Sequence, residues 1–357
     1  MSKGKRVKVG ISIGDTNGIG LEVVIKSFLD NRVFDSFIPI IYASKDIVKA
    51  HRKKLGIEDF SFNFINDPDE ASPKKANLIS VWKESAKVSF GEPTKESGEY
   101  ALRSLEAAVN DLASNKVDVL VTAPINKKNI HSDKFNFPGH TEYLAKFANT
   151  DDVLMFMISE NIRIGVVTGH IPVNEVAKSI SKEAILKKLE IMEASLKRDF
   201  NIVKPKIAVL GLNPHAGDEG LLGKEEIDII SPAIESAKSN GILAFGPYPA
   251  DGFFGSSNFK NFDGILAMYH DQGLIPFKAL TFENGINFTA GLPIVRTSPD
   301  HGTAYEIAGQ NKASASSFRT ACYTAVDIYR NRTKFKKMRE NALDKPKTKE
   351  VKVEVSK

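Results

Sequence analysis

Short apolar runs alternate with amphipathic stretches along most of this chain, and the alternation predicts its elements. Val7–Ile13 is rich in Val and Ile, with basic residues before it and Gly14-Asp15 after it. Ile38–Tyr42, Val117–Thr122, Ile162–Thr168, Lys206–Leu212 and Gly264–Tyr269 repeat the theme. Such runs read as strands buried on both faces. Between them the period changes. Leu102, Leu105, Val109 and Leu112 recur at helical spacing after Ser97-Gly98, and Ile185, Leu189, Met192, Leu196 and Phe200 form a longer stripe. Ile227, Ile230, Ile234 and Ala237 form a third, with Pro232 expected to kink it. Continuous apolar strands separated by helices predict an α/β fold with a mostly parallel sheet covered on both faces.

Length and charge bound the function. With 357 residues there is room for about two domains of ~150 residues each. No apolar run approaches the ~20 residues that span a bilayer, so no membrane role is expected. Cys322 is the one cysteine, which excludes an internal disulfide and fits a reducing, cytoplasmic setting. Its helical context predicts an inert buried thiol. The net charge of +5 invites a nucleic-acid reading until it is located. Residues 334–357 hold nine Lys or Arg against four Asp or Glu, leaving forty of each sign in residues 1–333. The basic character belongs to a polar tail, expected to be frayed, and the neutral body argues against nucleic acid as a partner.

Two patterns near the N-terminus resemble catalytic motifs and fail on inspection. Gly10-Ile11-Ser12-Ile13-Gly14 matches a nucleophile elbow, but Ser12 would lie inside the first strand, not on a strand-to-helix turn. Gly14-Asp15-Thr16-Asn17-Gly18-Ile19-Gly20 lacks the third glycine of a dinucleotide fingerprint, Val23 standing in its place, and lacks the Gly-Lys-Ser/Thr of a P-loop. A glycine-rich turn remains, either structural or at an active-site rim.

The histidines carry more. His170, His215 and His270 each stand just past the C-terminal end of an apolar run. Adjacent parallel strands end on one edge, where side chains from separate strands converge on ligands. A single strand-end histidine is ordinarily a hydrogen-bonded structural residue. Three following one pattern also suit a divalent metal held by neutral imidazoles with open positions for substrate. Lys278 and Arg296 lie in polar clusters further on and suit capture of phosphate or carboxylate, although either alone reads equally as a surface charge.

The clusters GDTNGIG, VTAPINK, FPGHTEYLA, VTGHIPV, LNPHAGDEG, GPYPADG, YHDQGLIPFK and GLPIVRTSPDHGTAYEIAG occur in an order that resembles the 4-hydroxythreonine-4-phosphate dehydrogenase family of vitamin B6 biosynthesis, from about Val7 to about Tyr329. The resemblance implies a two-domain fold like isocitrate and isopropylmalate dehydrogenases, with the active site in the interdomain cleft at a dimer contact. On that fold, residues 5–135 plus 290–333 form a first α/β domain on the NAD side. Residues 136–289 form a second on the metal and substrate side, and 334–357 form the basic tail.

The resemblance implies His170, His215 and His270 as metal ligands, His270 completing the site of the partner chain in a homodimer with shared active sites. It implies His140, Thr141, Lys278, Asn287 and Arg296 as substrate contacts, with Asp251 and Lys278 as candidates for catalytic proton transfer. His301, Gly302, Thr303 and Ala304 resemble the loop that holds the adenosine of NAD. The implied reaction is oxidation of 4-phosphooxy-L-threonine with NAD (NADP possible) and a divalent metal, Zn, Mg, Mn or Co. The β-keto acid so formed loses carbon dioxide to give 3-amino-2-oxopropyl phosphate. Departures from the family pattern are Thr16-Asn17, Leu21, Gly169, Gly252-Phe253-Phe254 and Glu306, and none removes an implied ligand. They leave phosphorylated threonate or erythronate as alternative substrates. A three-histidine lyase or hydrolase acting on a phosphorylated sugar is the rival class, and a non-catalytic phosphate-binding protein a third.

Overall fold

A computed structural model of the chain describes residues 6–133, 135–281 and 284–340. The first third runs β1 (Val7–Ser12), α1 (Gly20–Ser27), β2 (Phe37–Ala43), α2 (Lys45–Leu55), β3 (Asn63–Ile65), β4 (Asn77–Ser80), α3 (Lys95–Ala113) and β5 (Val119–Thr122). The middle runs α4 (Lys127–Ile130), α5 (His140–Phe147), β6 (Leu154–Ile158), β7 (Arg163–Thr168), α6 (Val173–Ser179), α7 (Lys182–Arg198) and β8 (Lys206–Leu210). The last third holds α8 (Ser231–Ser239), β9 (Leu243–Tyr248), α9 (Ala250–Gly255), β10 (Gly264–Tyr269), α10 (His270–Thr281), β11 (Ile286–Ala290), β12 (Arg296–Pro299) and α11 (Ser316–Glu340).

Among the described residues, twelve strands join in a single sheet in the order β3-β4-β2-β1-β5-β12-β11-β6-β7-β10-β8-β9. The first six are mutually parallel, as are β7, β10, β8 and β9. Three antiparallel pairings, β12 with β11, β11 with β6 and β6 with β7, lie between them. Three reversals make the two parallel halves run in opposite senses, so the middle of the sheet is where strand direction changes. Helices cover the strands on both faces, and Val9, Ile11, Val119, Val121, Ile207, Val209, Leu266 and Met268 are essentially without solvent exposure. Each such side chain contributes about 1.5–3 kcal/mol by leaving water.

Caps account for several helix starts. Ser44, Thr94 and Ser181 accept from the N–H three residues on, at the heads of α2, α3 and α7. Gly56, with φ 67°, closes α2 in the left-handed conformation.

Two expectations change in detail and a third, the buried thiol, holds. Pro232 lies in the first turn of α8, where its missing N–H costs nothing, and the segment before it, Glu226–Ile230, is a turn of π-helix instead of a kinked α-helix. The polar tail does not begin at 334, because α11 continues to Glu340; residues 341–357 lie outside the described residues. Cys322 is fully buried in α11, and burial raises its thiol pKa above the usual range, as an inert side chain requires.

Candidate active site

The central reversal of the sheet opens into a cavity of about 350 Å³. Its floor is Met155 and Met157 of β6, Asn287 of β11 and Arg296 and Ser298 of β12. Thr122 ends β5 on one side, and His170 and His270 follow β7 and β10 on the other. The first turn of α5 adds His140, Thr141 and Glu142, and the segment after β12 adds Asp300, His301 and Gly302.

The charges around this cavity do not all pair among the described residues. Arg296 is 4% exposed, yet its guanidinium donates only to hydroxyls: Nε and Nη2 to Thr122 Oγ1 at 3.1 and 2.7 Å, Nη1 to Thr289 Oγ1 at 3.4 Å. Burial pulls its pKa down to about 10, partly offset by Glu142. A buried cation without a carboxylate partner is costly unless an anion arrives. Lys127 lines the same cavity and pairs with no carboxylate among the described residues. Lys278 is partnered, its Nζ lying 3.0 Å from both Asp300 Oδ1 and the Asp300 carbonyl oxygen. Burial raises the Asp300 carboxyl, and Lys278 opposes that shift.

Three buried polar atoms here have no partner: His140 Nε2, Asn287 Oδ1 and His301 Nε2. Burial, with Arg296 and Lys127 nearby, holds the His140 pKa well below its ordinary value, so the ring is neutral. Burial lowers His301 too, and its Nδ1 lies 3.1 Å from the Gly302 carbonyl oxygen. That contact makes Nδ1 the protonated nitrogen and leaves Nε2 as an acceptor. Orphaned polar atoms in a folded interior call for an explanation, and a ligand supplies one.

The histidines proposed for a metal are only partly assembled. The rings of His170 and His270 lie side by side, tilted by 42°, with centroids 5.4 Å apart. Burial, followed by Lys127, lowers His170, leaving a neutral imidazole with a lone pair to give. Asp271 Oδ1 lies 2.6 Å from His270 Nδ1, which leaves Nε2 as the donor atom in the carboxylate–histidine arrangement common at metal sites. The donor chemistry of this pair fits a divalent cation. His215 does not join it within one chain: no group of three His, Cys, Asp or Glu poised for a metal occurs among the described residues.

His215 is exposed, on a turn that follows β8, the strand paired with β10. Its backbone is unusual. His215, Ala216, Gly217, Asp218 and Glu219 are all left-handed, with φ between 44° and 83°. Non-glycine residues in this conformation cost about 1–2 kcal/mol each. Asp251, in the first turn of α9, is exposed and outside the cavity, and α9 packs against the same turn.

The loop implied for NAD divides. His301 and Gly302 line the cavity, whereas Thr303 and Ala304 do not. The Thr303 carbonyl accepts from Ile19 N at 3.0 Å, and the left-handed Ala304 turns the chain toward Tyr305. Tyr305 donates its hydroxyl to Asp15 at 2.9 Å. The N-terminal glycine-rich turn is thereby packed against the 301–305 segment, which settles what that turn touches. Ser12 lies inside β1, 1% exposed, which removes the nucleophile reading.

Sequence reasoning left Lys127, Glu142, Thr122, Ser298 and Asp300 unassigned. All five stand in the polar clusters VTAPINK, FPGHTEYLA and RTSPDHG; strand-end position could have found Thr122, Lys127, Ser298 and Asp300, whereas Glu142 lies in the first turn of α5.

The chain is matched over residues 35–325 by the family model for pyridoxal phosphate biosynthetic protein PdxA. It is 50% identical to a 4-hydroxythreonine-4-phosphate dehydrogenase from Bacteroides thetaiotaomicron, over 95% of this chain and 93% of the relative. Its structure is similar to the crystal structure of a 4-hydroxythreonine-4-phosphate dehydrogenase from Klebsiella pneumoniae, with TM-score 0.78 and 32% identity, covering 91% of this chain and all of the other. An isocitrate dehydrogenase from Methylococcus capsulatus has TM-score 0.50 at 12% identity, covering 94% of this chain and 89% of the other, a likeness of fold alone.

Proposed function

This chain belongs to the pyridoxal phosphate biosynthetic protein PdxA family, and on that premise we propose that it is an NAD-dependent 4-hydroxythreonine-4-phosphate dehydrogenase. It takes 4-phosphooxy-L-threonine to 2-amino-3-oxo-4-phosphooxybutanoate, which loses carbon dioxide to leave 3-amino-2-oxopropyl phosphate. The observation that carries the substrate class is Arg296, a buried guanidinium with no carboxylate, beside unpaired His140 Nε2 and Asn287 Oδ1. A phosphorylated acid answers both the charge and the orphaned atoms.

Arg296 and Lys127 hold the anionic groups, with His140, Thr141 and Asn287 fixing the orientation of the substrate. The Thr122 and Thr289 hydroxyls aim the guanidinium. Lys278, steadied by Asp300, is the group placed to take or return a proton at the rim. His170, His215 and His270 would hold a divalent metal, Zn, Mg, Mn or Co, with Asp251 beside the His215 turn as support. When bound, such a cation would supply Lewis acidity at the C3 oxygen, favouring both hydride loss from that carbon and the later loss of carbon dioxide. NAD, or NADP, is the hydride acceptor, and the unpartnered His301 Nε2 with Gly302 offers its contact from the β12 side. The two halves of the sheet, divided near residues 135 and 290, serve as nucleotide and metal–substrate domains.

Because the three histidines do not close on one another within a chain, a homodimer with shared sites is part of the proposal. The test is absorbance at 340 nm with NAD, a divalent metal and a panel of phosphorylated C4 acids. Fastest turnover on 4-phosphooxy-L-threonine is expected. Fastest turnover on phosphorylated threonate or erythronate would reassign the substrate, and no NADH with any acid would overturn the reading. Mixing inactive His270→Ala and His215→Ala chains checks the sharing. About a quarter of wild-type activity should return, because half of randomly mixed dimers carry one intact site of two. No recovery despite subunit exchange would refute it.

A further inference from the structure

The left-handed turn that carries His215 closes three backbone hydrogen bonds of its own, Ala216 N to Asn213 O, Leu221 N to Asp218 O and Leu222 N to Gly217 O, and its entry is held from outside. Chains of L-residues visit this conformation singly, whereas here four non-glycine residues occupy it in succession around Gly217. Its anchor is Glu226, 3% exposed in the π-helical turn before α8. Glu226 Oε1 accepts from the backbone N–H of Leu212 at 2.7 Å and of Asn213 at 2.8 Å, and Oε2 accepts from Asn213 Nδ2 at 2.9 Å. No cation pairs with this carboxylate among the described residues, so it is committed to the turn's N–H groups. The fit is close. A Cβ on Gly217 would lie 2.6 Å from Glu226 Oε2, and one on Gly211 would lie 3.1 Å from Oε1.

A second bracket ties the same segment to the strand that precedes His270. Gln272 donates its Nε2–H to the Gly211 carbonyl oxygen at 2.6 Å and accepts from Met268 N at 2.7 Å. One side chain thus fixes the end of β8 against the end of β10.

We propose that Glu226 and Gln272 are positioning residues that hold the 211–219 turn in its left-handed form and so present His215 to a divalent metal. The proposal rests on the reading of His215 as a metal ligand. Neither residue touches substrate, nucleotide or the cation. Their contribution is to fix in the free protein a conformation that an unsupported turn would adopt only on binding, at a cost in affinity.

The test is cobalt(II) affinity of the full-length chain, read from the visible absorption of the bound ion, with NAD affinity and thermal unfolding measured on the same samples. Glu226→Ala and Gln272→Met should each weaken cobalt binding at least tenfold, and Glu226→Gln by less, with NAD affinity within twofold of wild type. Adding Asp218→Gly to Glu226→Gln should restore part of the loss, because glycine accepts the left-handed conformation freely. Should Glu226→Ala fail to fold, Glu226→Gln and Gln272→Met carry the comparison. Cobalt affinity within twofold of wild type in both, while His215→Ala loses it, would overturn the proposal and leave His215 a ligand. Cobalt affinity unchanged in His215→Ala would overturn the ligand reading itself. Equal losses for cobalt and NAD would mark a general structural role and also overturn the positioning claim.

Discussion

Two strand-to-helix turns in this molecule are each organised by one buried carboxylate without a cation, and they are used differently. After β1, Asp15 is 1% exposed and accepts from Asn17 N, Ser97 Oγ and Tyr305 Oη, each at 2.9 Å. Those donors come from the turn itself, from α3 and from the segment after β12, so the carboxylate ties distant chain together. Residues 13–21 are buried throughout. After β8, Glu226 binds N–H groups of the adjacent turn alone, and His215 is left exposed. The first turn is interior structure whose carboxylate makes its hydrogen bonds within the protein, although the Thr16 hydroxyl is left without a partner. The second keeps a side chain available. The cavity between the halves follows the second pattern, with an unpaired guanidinium and three orphaned polar atoms. Unsatisfied polar groups that gather around one cavity, beside a buried unpaired guanidinium, mark where a ligand belongs.

The largest expected effect breaks the first turn. Asp15→Ala removes the acceptor of three donors at 2.9 Å and of a fourth, Asn129 Nδ2, at 3.4 Å, and should cost about 4 kcal/mol of stability by urea unfolding at pH 7, at about 1–3 kcal/mol for each buried group left unmade. Exposed His215→Ala, in the second turn, should stay within about 0.5 kcal/mol. Comparable losses in both would erase the contrast.

The next effect is in pH and concerns the same turn. His51 Nε2 donates to the Thr16 carbonyl oxygen at 2.8 Å, and the edge-on Phe90 ring lies 4.7 Å away. Burial lowers the His51 pKa from 6.5 to about 4. Below pH 6.5 the unfolded imidazole takes a proton that the folded one refuses, so stability falls as pH drops from 6.5 to 4. The window is worth about 3 kcal/mol. His51→Gln, which can keep the bond to Thr16 without titrating, should lose that part of the acid sensitivity. Identical pH profiles for the two proteins would remove His51 from the account.

Much of this was legible in the sequence, and the misses have causes. The long apolar runs gave β1, β2, β5, β7, β8 and β10 to within two residues, because burial on both faces leaves few polar interruptions. β3, β4, β6, β11 and β12 escaped notice as runs of five residues or fewer, and β9 because exposed positions interrupt it. α10 was hidden by Gly273 and Pro276, which ordinarily break helices. Gly273 is there because a Cβ would lie 2.9 Å from Ile164 Cγ2 on β7. The residues gathered in the cavity could be read from their clusters, since strand ends concentrate chemistry. The left-handed turn could not, because Pro214-His215-Ala216-Gly217 carries no local signal for four non-glycine residues with positive φ. The buried carboxylates likewise became visible only through contacts far apart in sequence.

The most direct test asks whether the unpaired cations of the cavity are reserved for a phosphorylated acid. It is a comparison of kcat/KM for 4-phosphooxy-L-threonine and for unphosphorylated 4-hydroxy-L-threonine, in the wild type, Lys127→Ala and Arg296→Ala. The account predicts a strong wild-type preference for the phosphorylated substrate. Each alanine should lower kcat/KM on that substrate at least tenfold, about 1.4 kcal/mol of transition-state binding, while the unphosphorylated compound is less affected. Thermal stability of Arg296→Ala should be unchanged or improved, since an unpaired buried charge is removed. Equal kcat/KM for the two substrates in the wild type, or an Arg296→Ala enzyme that keeps full preference for the phosphate, would contradict it.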